Sequence, residues 1–182
     1  MGRSALVVLV PAAEPLVAEL RLEHDRVAAL GVPAHVTVLH PFRATLDAAA
    51  EAALAEVCAS TSAFDVTFAD VCRFEPGIVV YLAPSPAEPF ADLTGRCVAA
   101  FPDCPPYGGA HPDPTPHLTV ADSASAATAA ALEPVLVAGL PITMRVERLT
   151  RLVEDDAGRW SVERSWPLSG RDRPPNRDEA PG

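Results

Sequence analysis

His35-Val36-Thr37-Val38-Leu39 and His117-Leu118-Thr119-Val120-Ala121 carry one pattern, His-apolar-Thr-apolar, once in each half of the chain. Each stretch is short and rich in β-branched residues, and proline punctuates it: Pro33 and Pro41 around the first, Pro116 before the second. That composition predicts buried strands. In a strand, side chains i and i+2 share a face, so His35 projects beside Thr37 and His117 beside Thr119. With five His and 49% hydrophobic residues, random placement produces the doubled pattern in roughly one of several hundred shuffles. One copy would carry little weight, because a strand His is more often a satisfied structural residue. The pair is more specific.

Outward from each motif the chain runs in the same order, helix, strand, helix. Leu6 to Val10 is a continuous apolar run and reads as a central strand. From Ala13 to Leu30 the spacing of Leu16, Leu20, Val27 and Leu30 is helical, and Gly31 stands where a helix ends. Residues 46–59 are Ala-rich and predict a second helix. Phe64 to Phe68 alternates as a strand, and Pro76-Gly77 marks a turn into Ile78–Leu82, so a hairpin is expected. Ala87–Phe101 predicts a third helix, and a Pro- and Gly-rich loop, Pro105 to Pro116, leads into the second motif. A fourth helix fits 124–138. Residues 142–153 and 159–167 read as two closing strands joined through Asp155-Asp156-Ala157-Gly158, where the acidic pair is most simply a turn. Residues 169–182 are polar and Pro-rich and predict a disordered tail, leaving 1–168 as a single bilobal domain.

Composition narrows the function classes. The formal net charge is −10 and every basic residue apart from histidine is Arg. Wrapping long nucleic acid needs a broad positive surface, so that class is disfavoured, whereas a small phosphate ligand is not. Cys58, Cys72, Cys97 and Cys104 lack C-x-x-C spacing and sit among apolar residues, which predicts reduced thiols. The start of the chain resembles a secretion signal only superficially, since its apolar run is short and stops at Pro11. No apolar run is long enough to span a bilayer. A cytoplasmic protein without a membrane partner, monomeric by default, is the expectation.

A His and a Thr side by side on a rigid strand form a useful pair. The imidazole transfers a proton near neutral pH and the hydroxyl donates to a phosphate oxygen. Two such pairs facing each other bracket a phosphorus atom, with a base on the attacking oxygen and an acid on the leaving one.

These motifs resemble the signature of the two-histidine phosphoesterase superfamily, in particular its 2′-5′ RNA ligase-like members. The resemblance extends to Leu20-Arg21-Leu22-Glu23-His24-Asp25, to Gly31-Val32-Pro33-Ala34 before the first motif and to Pro105-Pro106-Tyr107-Gly108-Gly109 before the second. Val146-Glu147-Arg148-Leu149 and Gly158-Arg159-Trp160 share the family's character, so the likeness covers most of residues 4–168. It implies a bilobal α+β fold, with two antiparallel sheets related by a pseudo-two-fold axis, helices outside and a cleft between. It further implies metal- and cofactor-independent opening of cyclic phosphodiesters, or reversible 2′-5′ phosphodiester chemistry, on small nucleotides or RNA ends. His35 and His117 carry over as the acid/base pair, and Thr37 and Thr119 as phosphate donors. His40 stands where an aromatic residue is more usual in that family, which bears on the substrate pocket rather than the chemistry.

Other residues admit two readings. Arg43 could hold a phosphate or make a surface salt bridge. Tyr107 could stack on a base or pack beneath its loop. Strand alternation puts His40 on the face opposite His35, which favours a surface role, although Pro41 could bend it back. His111 reads as a solvated loop residue and His24 as a helix-boundary one. Two other classes stay open. One is a metal hydrolase built from His35, His40, His111 or His117 with Asp113, although no metal-fixing spacing is present. The other is a non-catalytic module that binds nucleotide or phosphate in the same cleft.

Overall fold

The computed structural model describes residues 3–75, 78–111 and 114–169. The Pro76-Gly77 turn and residues 170–182 of the expected tail lie outside the described residues. Strand β1 (Ser4–Leu9) is covered on both faces: Leu6 and Val8 enter the main core, while Ala5 and Val7 join a smaller cluster with Val32 and Leu152. Double coverage is why this stretch shows no polar alternation. A 3-10 turn at Pro11–Ala13 leads to helix α1 (Glu14–His24) and the short α2 (Arg26–Ala29). The single helix expected over 13–30 is therefore broken, because Asp25 adopts an extended conformation and caps α2 through its carboxylate, which accepts from Val27 N–H.

Next come β2 (His35–Phe42), α3 (Ala48–Ala59), β3 (Phe64–Phe74), β4 (Ile78–Ser85) and α4 (Glu88–Ala100). The chain continues through β5 (Leu118–Ala124), α5 (Ala126–Ala138), β6 (Ile142–Val146), β7 (Arg148–Glu154) and β8 (Trp160–Pro167). One sheet has the order β2-β1-β7-β8 and the other β5-β4-β3-β6, with every pairing antiparallel. The expected β3–β4 hairpin pairs from Thr67↔Ser85 to Phe74↔Val79. The segment 142–153, expected to be one strand, is two: β6 pairs with β3 and β7 with β1, so the chain changes sheets at Glu147. Apolar periodicity is the same on either side of that crossover, so the sequence alone conceals it. Asp155 does make the expected turn, its carboxylate accepting from Ala157 and Arg159 N–H.

Strand–helix–strand–helix occurs twice, as β1-α1-β2-α3 and β4-α4-β5-α5, and each time the second strand is a sheet edge beside the first. The registers correspond as well. Val7 faces Thr37 and Leu6 faces Leu39; Tyr81 faces Thr119 and Val80 faces Ala121. The fold is α+β with the pseudo-two-fold arrangement expected. One continuous core joins the inner faces of both sheets to the helices, through Phe68, Phe90, Leu54, Leu93 and Leu136 among others. The four cysteines are free, Cys58 and Cys97 within that core. Among the described residues no helix is long and apolar enough to cross a membrane.

The connection into β2 is pressed against β8. Trp160 N–H donates to Leu30 C=O at 2.8 Å, and Gly31 follows with φ +98°. A Cβ on Gly31 would lie 2.8 Å from the Trp160 carbonyl oxygen. Gly31→Ala combines that clash with a left-handed backbone, and the expected cost is about 1–3 kcal/mol, read as a lower urea midpoint at unchanged slope.

Candidate active site

Each histidine stands where its chain enters an edge strand, and fixed contacts hold that entry. Ahead of His35, Ala34 N–H donates to the Glu14 carboxylate at 2.7 Å and Ala34 C=O accepts from Val10 N–H at 2.8 Å. Val32 C=O accepts from Arg21, whose buried guanidinium also pairs with Asp25 at 2.8 Å. His35 Nδ1 lies 2.8 Å from Pro33 C=O, and His117 Nδ1 lies 2.8 Å from Thr115 C=O. A carbonyl oxygen has no proton to give, so Nδ1–H is the donor in both rings. In the neutral ring Nε2 then keeps its lone pair. Both lobes thus set the same tautomer by the same i−2 contact.

Both imidazoles favour the neutral form. Burial pushes His35 down to about 4, the Pro33 contact opposes this, and the charges of Arg21, His117 and His40 lower it further. His117 is also lowered, first by burial, with the Thr115 contact opposing. The cause is visible around the ring. Phe74 and Tyr81 stack at 4.2 Å, and each meets His117 edge-on, at 5.0 and 5.5 Å.

The cleft has two compartments that share His35, Val27 and Tyr107. The larger, about 560 Å³, contains His117, Thr119, His111, Asp25, Glu75 and Asp122 in its wall. The smaller, about 160 Å³, contains Thr37, His40 and Trp160 with an apolar floor of Ala5, Val7 and Leu152. The four motif residues therefore line two compartments that meet at His35, Val27 and Tyr107. Tyr107 comes from the second lobe's loop, at φ +51°, and reaches the first lobe's compartment. Burial raises its phenol, the Thr37 hydroxyl acts in the opposite direction, and both side chains line the smaller compartment. Its ring also meets His111 edge-on at 5.4 Å.

One expectation changes. His40 is not on the far face of β2; it is half-buried and lines the smaller compartment. The partner register slips by one residue between Val7↔Thr37 and Leu6↔Leu39, so Val38 and Leu39 are both buried and alternation reverses after them. Beta-strand 5 slips at the equivalent point, between Tyr81↔Thr119 and Val80↔Ala121, burying Val120 and Ala121 together. Asp122 is thereby turned to the cleft, five positions after His117 as His40 is five after His35. Arg43 does not line either compartment. It is past the end of β2, paired with Asp103 at 2.8 Å and stacked over Phe101.

The match to the family model for the 2′-5′ RNA ligase superfamily spans residues 9–158, most of the chain. The chain belongs to the 2′-5′ RNA ligase superfamily. Solved structures with the same fold include E. coli LigT complexed with 3′-AMP, at TM-score 0.59 and 20% identity, covering 93% of this chain and 99% of that one. A second is a structure described as a phosphoesterase, at TM-score 0.59 and 17% identity, covering 93% of this chain and 100% of that one. A third is the Thermus thermophilus protein TT0787, at TM-score 0.58 and 19% identity, covering 92% of this chain and 98% of that one. No curated protein sequence matches.

Within this superfamily fold, several cleft residues lay outside the sequence reading: Phe74, Glu75, Tyr81 and Asp122. Asp122 follows the second motif directly and was legible by position, but only the slip shows which way it faces. Asp113 lies outside the described residues. Among the described residues, no group of three His, Cys, Asp or Glu side chains lies close enough to hold a metal ion.

The depressed His35 value has a sign for stability. Between its ordinary 6.5 and about 4, the unfolded chain binds a proton that the folded one excludes. That stability is present above 6.5 and is lost as pH falls. In urea unfolding across this window, wild type loses more stability than His35→Ala; parallel curves would reject the assignment.

Proposed function

We propose that the chain is a phosphodiesterase that opens 2′,3′-cyclic or related phosphodiesters of small nucleotides or RNA ends, using His35 and His117 as acid and base without a metal ion. The observation that carries this reading is the duplicated site: two imidazoles with the same tautomer, each beside a Thr, in one cleft. A pure binding site has no need of two proton carriers with free Nε2 atoms. Superfamily membership supports the reaction class, and the relative solved with 3′-AMP supports a nucleotide-sized ligand.

In the proposed reaction the phosphate lies at the junction of the two compartments, with Thr37 and Thr119 donating to its non-bridging oxygens. One Nε2 takes a proton from water as that oxygen attacks phosphorus, and the other imidazolium protonates the departing ribose oxygen. Two neutral rings cannot do this alone, so one proton must accompany the substrate. The anionic phosphate supplies the reason, because a negative charge between the rings favours protonation of one of them. With a ribose 5′-hydroxyl attacking in place of water, the same steps ligate, and their reversal, with the histidine roles exchanged, cleaves the 2′-5′ bond back to the cyclic phosphate and the free hydroxyl. Tyr107, beside Thr37, and His40 are proposed to contact the group attached to the phosphate, and the Tyr107 ring to stack on it.

Assay of adenosine 2′,3′-cyclic phosphate in EDTA tests the reading. Wild type turns over, and His35→Ala and His117→Ala each lose about 10²- to 10⁴-fold in kcat. A chelator-sensitive wild type points to the metal hydrolase, and an inert but nucleotide-binding wild type to the binding module. The rate profile is a second expectation. With His35 at about 4 and His117 below 6.5, kcat/KM is bell-shaped with its maximum between these values, whichever ring is the acid. A maximum at alkaline pH would exclude the pair.

A further inference from the structure

We propose that the substrate carries its only negative charge at the reacting phosphate and is uncharged at its ends, with Asp122 and Glu75 rejecting a second phosphate. The inference rests on the phosphodiesterase reading and concerns substrate choice at the same cleft.

The argument is an accounting of charge around the two compartments. Among the described residues neither wall contains an Arg, and the chain has no Lys. Nearby guanidinium groups are already committed. Arg21 is held by Asp25 and Val32 C=O, Arg43 by Asp103, Arg3 by Glu154 and Arg151 by Glu163. Arg26, adjacent to Asp25, lines neither compartment. The larger wall instead contains three carboxylates. Asp25 is neutralised by Arg21, whereas Glu75 and Asp122 have no basic partner among the described residues. Among the described residues the smaller compartment has no carboxylate and no guanidinium, only His, Thr, Tyr, Trp and apolar side chains.

A phosphate at the two His-Thr pairs therefore meets hydroxyl donors and an imidazolium. A second phosphate has no such partner. In the larger compartment it faces two unpaired carboxylates, and in the smaller it loses water with no cation to replace it. The aim of Asp122 is built into the strand, since the slip after Thr119 turns it to the cleft. The equivalent slip in the other lobe presents His40, so the two lobes differ in charge at matched positions. About 160 Å³ is also the size of cavity that takes a single small ring, which suits an uncharged planar group on that side.

The test compares adenosine 2′,3′-cyclic phosphate having a free 5′-hydroxyl with the same compound bearing a 5′-phosphate, in EDTA. The quantity read is the ratio of their kcat/KM values. For wild type at about 10 mM ionic strength, where the Debye length is about 30 Å, the free 5′-hydroxyl is preferred by about tenfold or more. At about 1 M salt, where it is about 3 Å, the ratio falls towards one. It falls likewise at low salt in Glu75→Gln/Asp122→Asn. A wild-type ratio of one, a preference for the 5′-phosphate, or a ratio unmoved by salt and by the double variant overturns the proposal. If neither compound turns over, the phosphodiesterase reading fails and calorimetric binding decides the charge proposal by itself. Adenosine 3′-monophosphate binding more tightly than adenosine 3′,5′-bisphosphate, with the same response to salt and to the double variant, upholds it. Equal or reversed affinities, or no binding of either, overturn it.

Discussion

The antiparallel pairing of each motif strand with its inner neighbour is the constraint on which the cleft depends. Beta-strands 2 and 5 are sheet edges, hydrogen-bonded on one side only to β1 and β4. Each slips by one residue directly after the His-x-Thr pair, at matched points of the two registers. Before the slip, alternation holds His and Thr on the cleft face and buries the residues between them. After it, two consecutive residues are buried and the next side chain swings back to the cleft. The bulge thus presents His40 and Asp122 where strict alternation would present Leu39 and Ala121. Because both lobes do this, the cleft has matched triplets: His35, Thr37 and His40 against His117, Thr119 and Asp122.

Symmetry of position does not bring symmetry of environment. The Nδ1 contacts are equivalent in sequence offset and length, so both neutral rings keep the lone pair on Nε2. Their surroundings differ. His117 meets Phe74 and Tyr81, while His35 lies near the buried Arg21–Asp25 pair and is shared by both compartments. Opposite Thr119 the inner strand supplies Tyr81; opposite Thr37 it supplies Val7. The Pro- and Gly-rich loop adds a further asymmetry, since it carries Tyr107 from the second lobe to the first lobe's Thr37. A duplicated scaffold in this way places equivalent histidines in unequal surroundings.

Desolvation has a chemical consequence here. Two imidazoles that burial holds in the neutral form, in a cleft without guanidinium groups among the described residues, become charged only where a neighbouring negative charge offsets the lost solvation. Glu75 and Asp122, without a basic partner among the described residues, add negative charge to the wall of the larger compartment.

The amino-acid sequence by itself determined the two His-x-Thr strands, the helices around them and the face that each His shares with its Thr. Those features follow from local periodicity, turn residues and the two-residue repeat of a strand. It also contained Tyr107 and the composition of the loop that presents it. Tertiary structure alone decided the direction of His40 and Asp122, because a register slip depends on the partner strand and leaves no mark in alternation. It also broke the first helix at Asp25, where a side-chain cap and an ion pair with Arg21 outweigh a continuous apolar period. The crossover at Glu147 and the diversion of Arg43 to Asp103 were decided there too, since strand partners and ion partners are distant in sequence and become neighbours only when the sheets form.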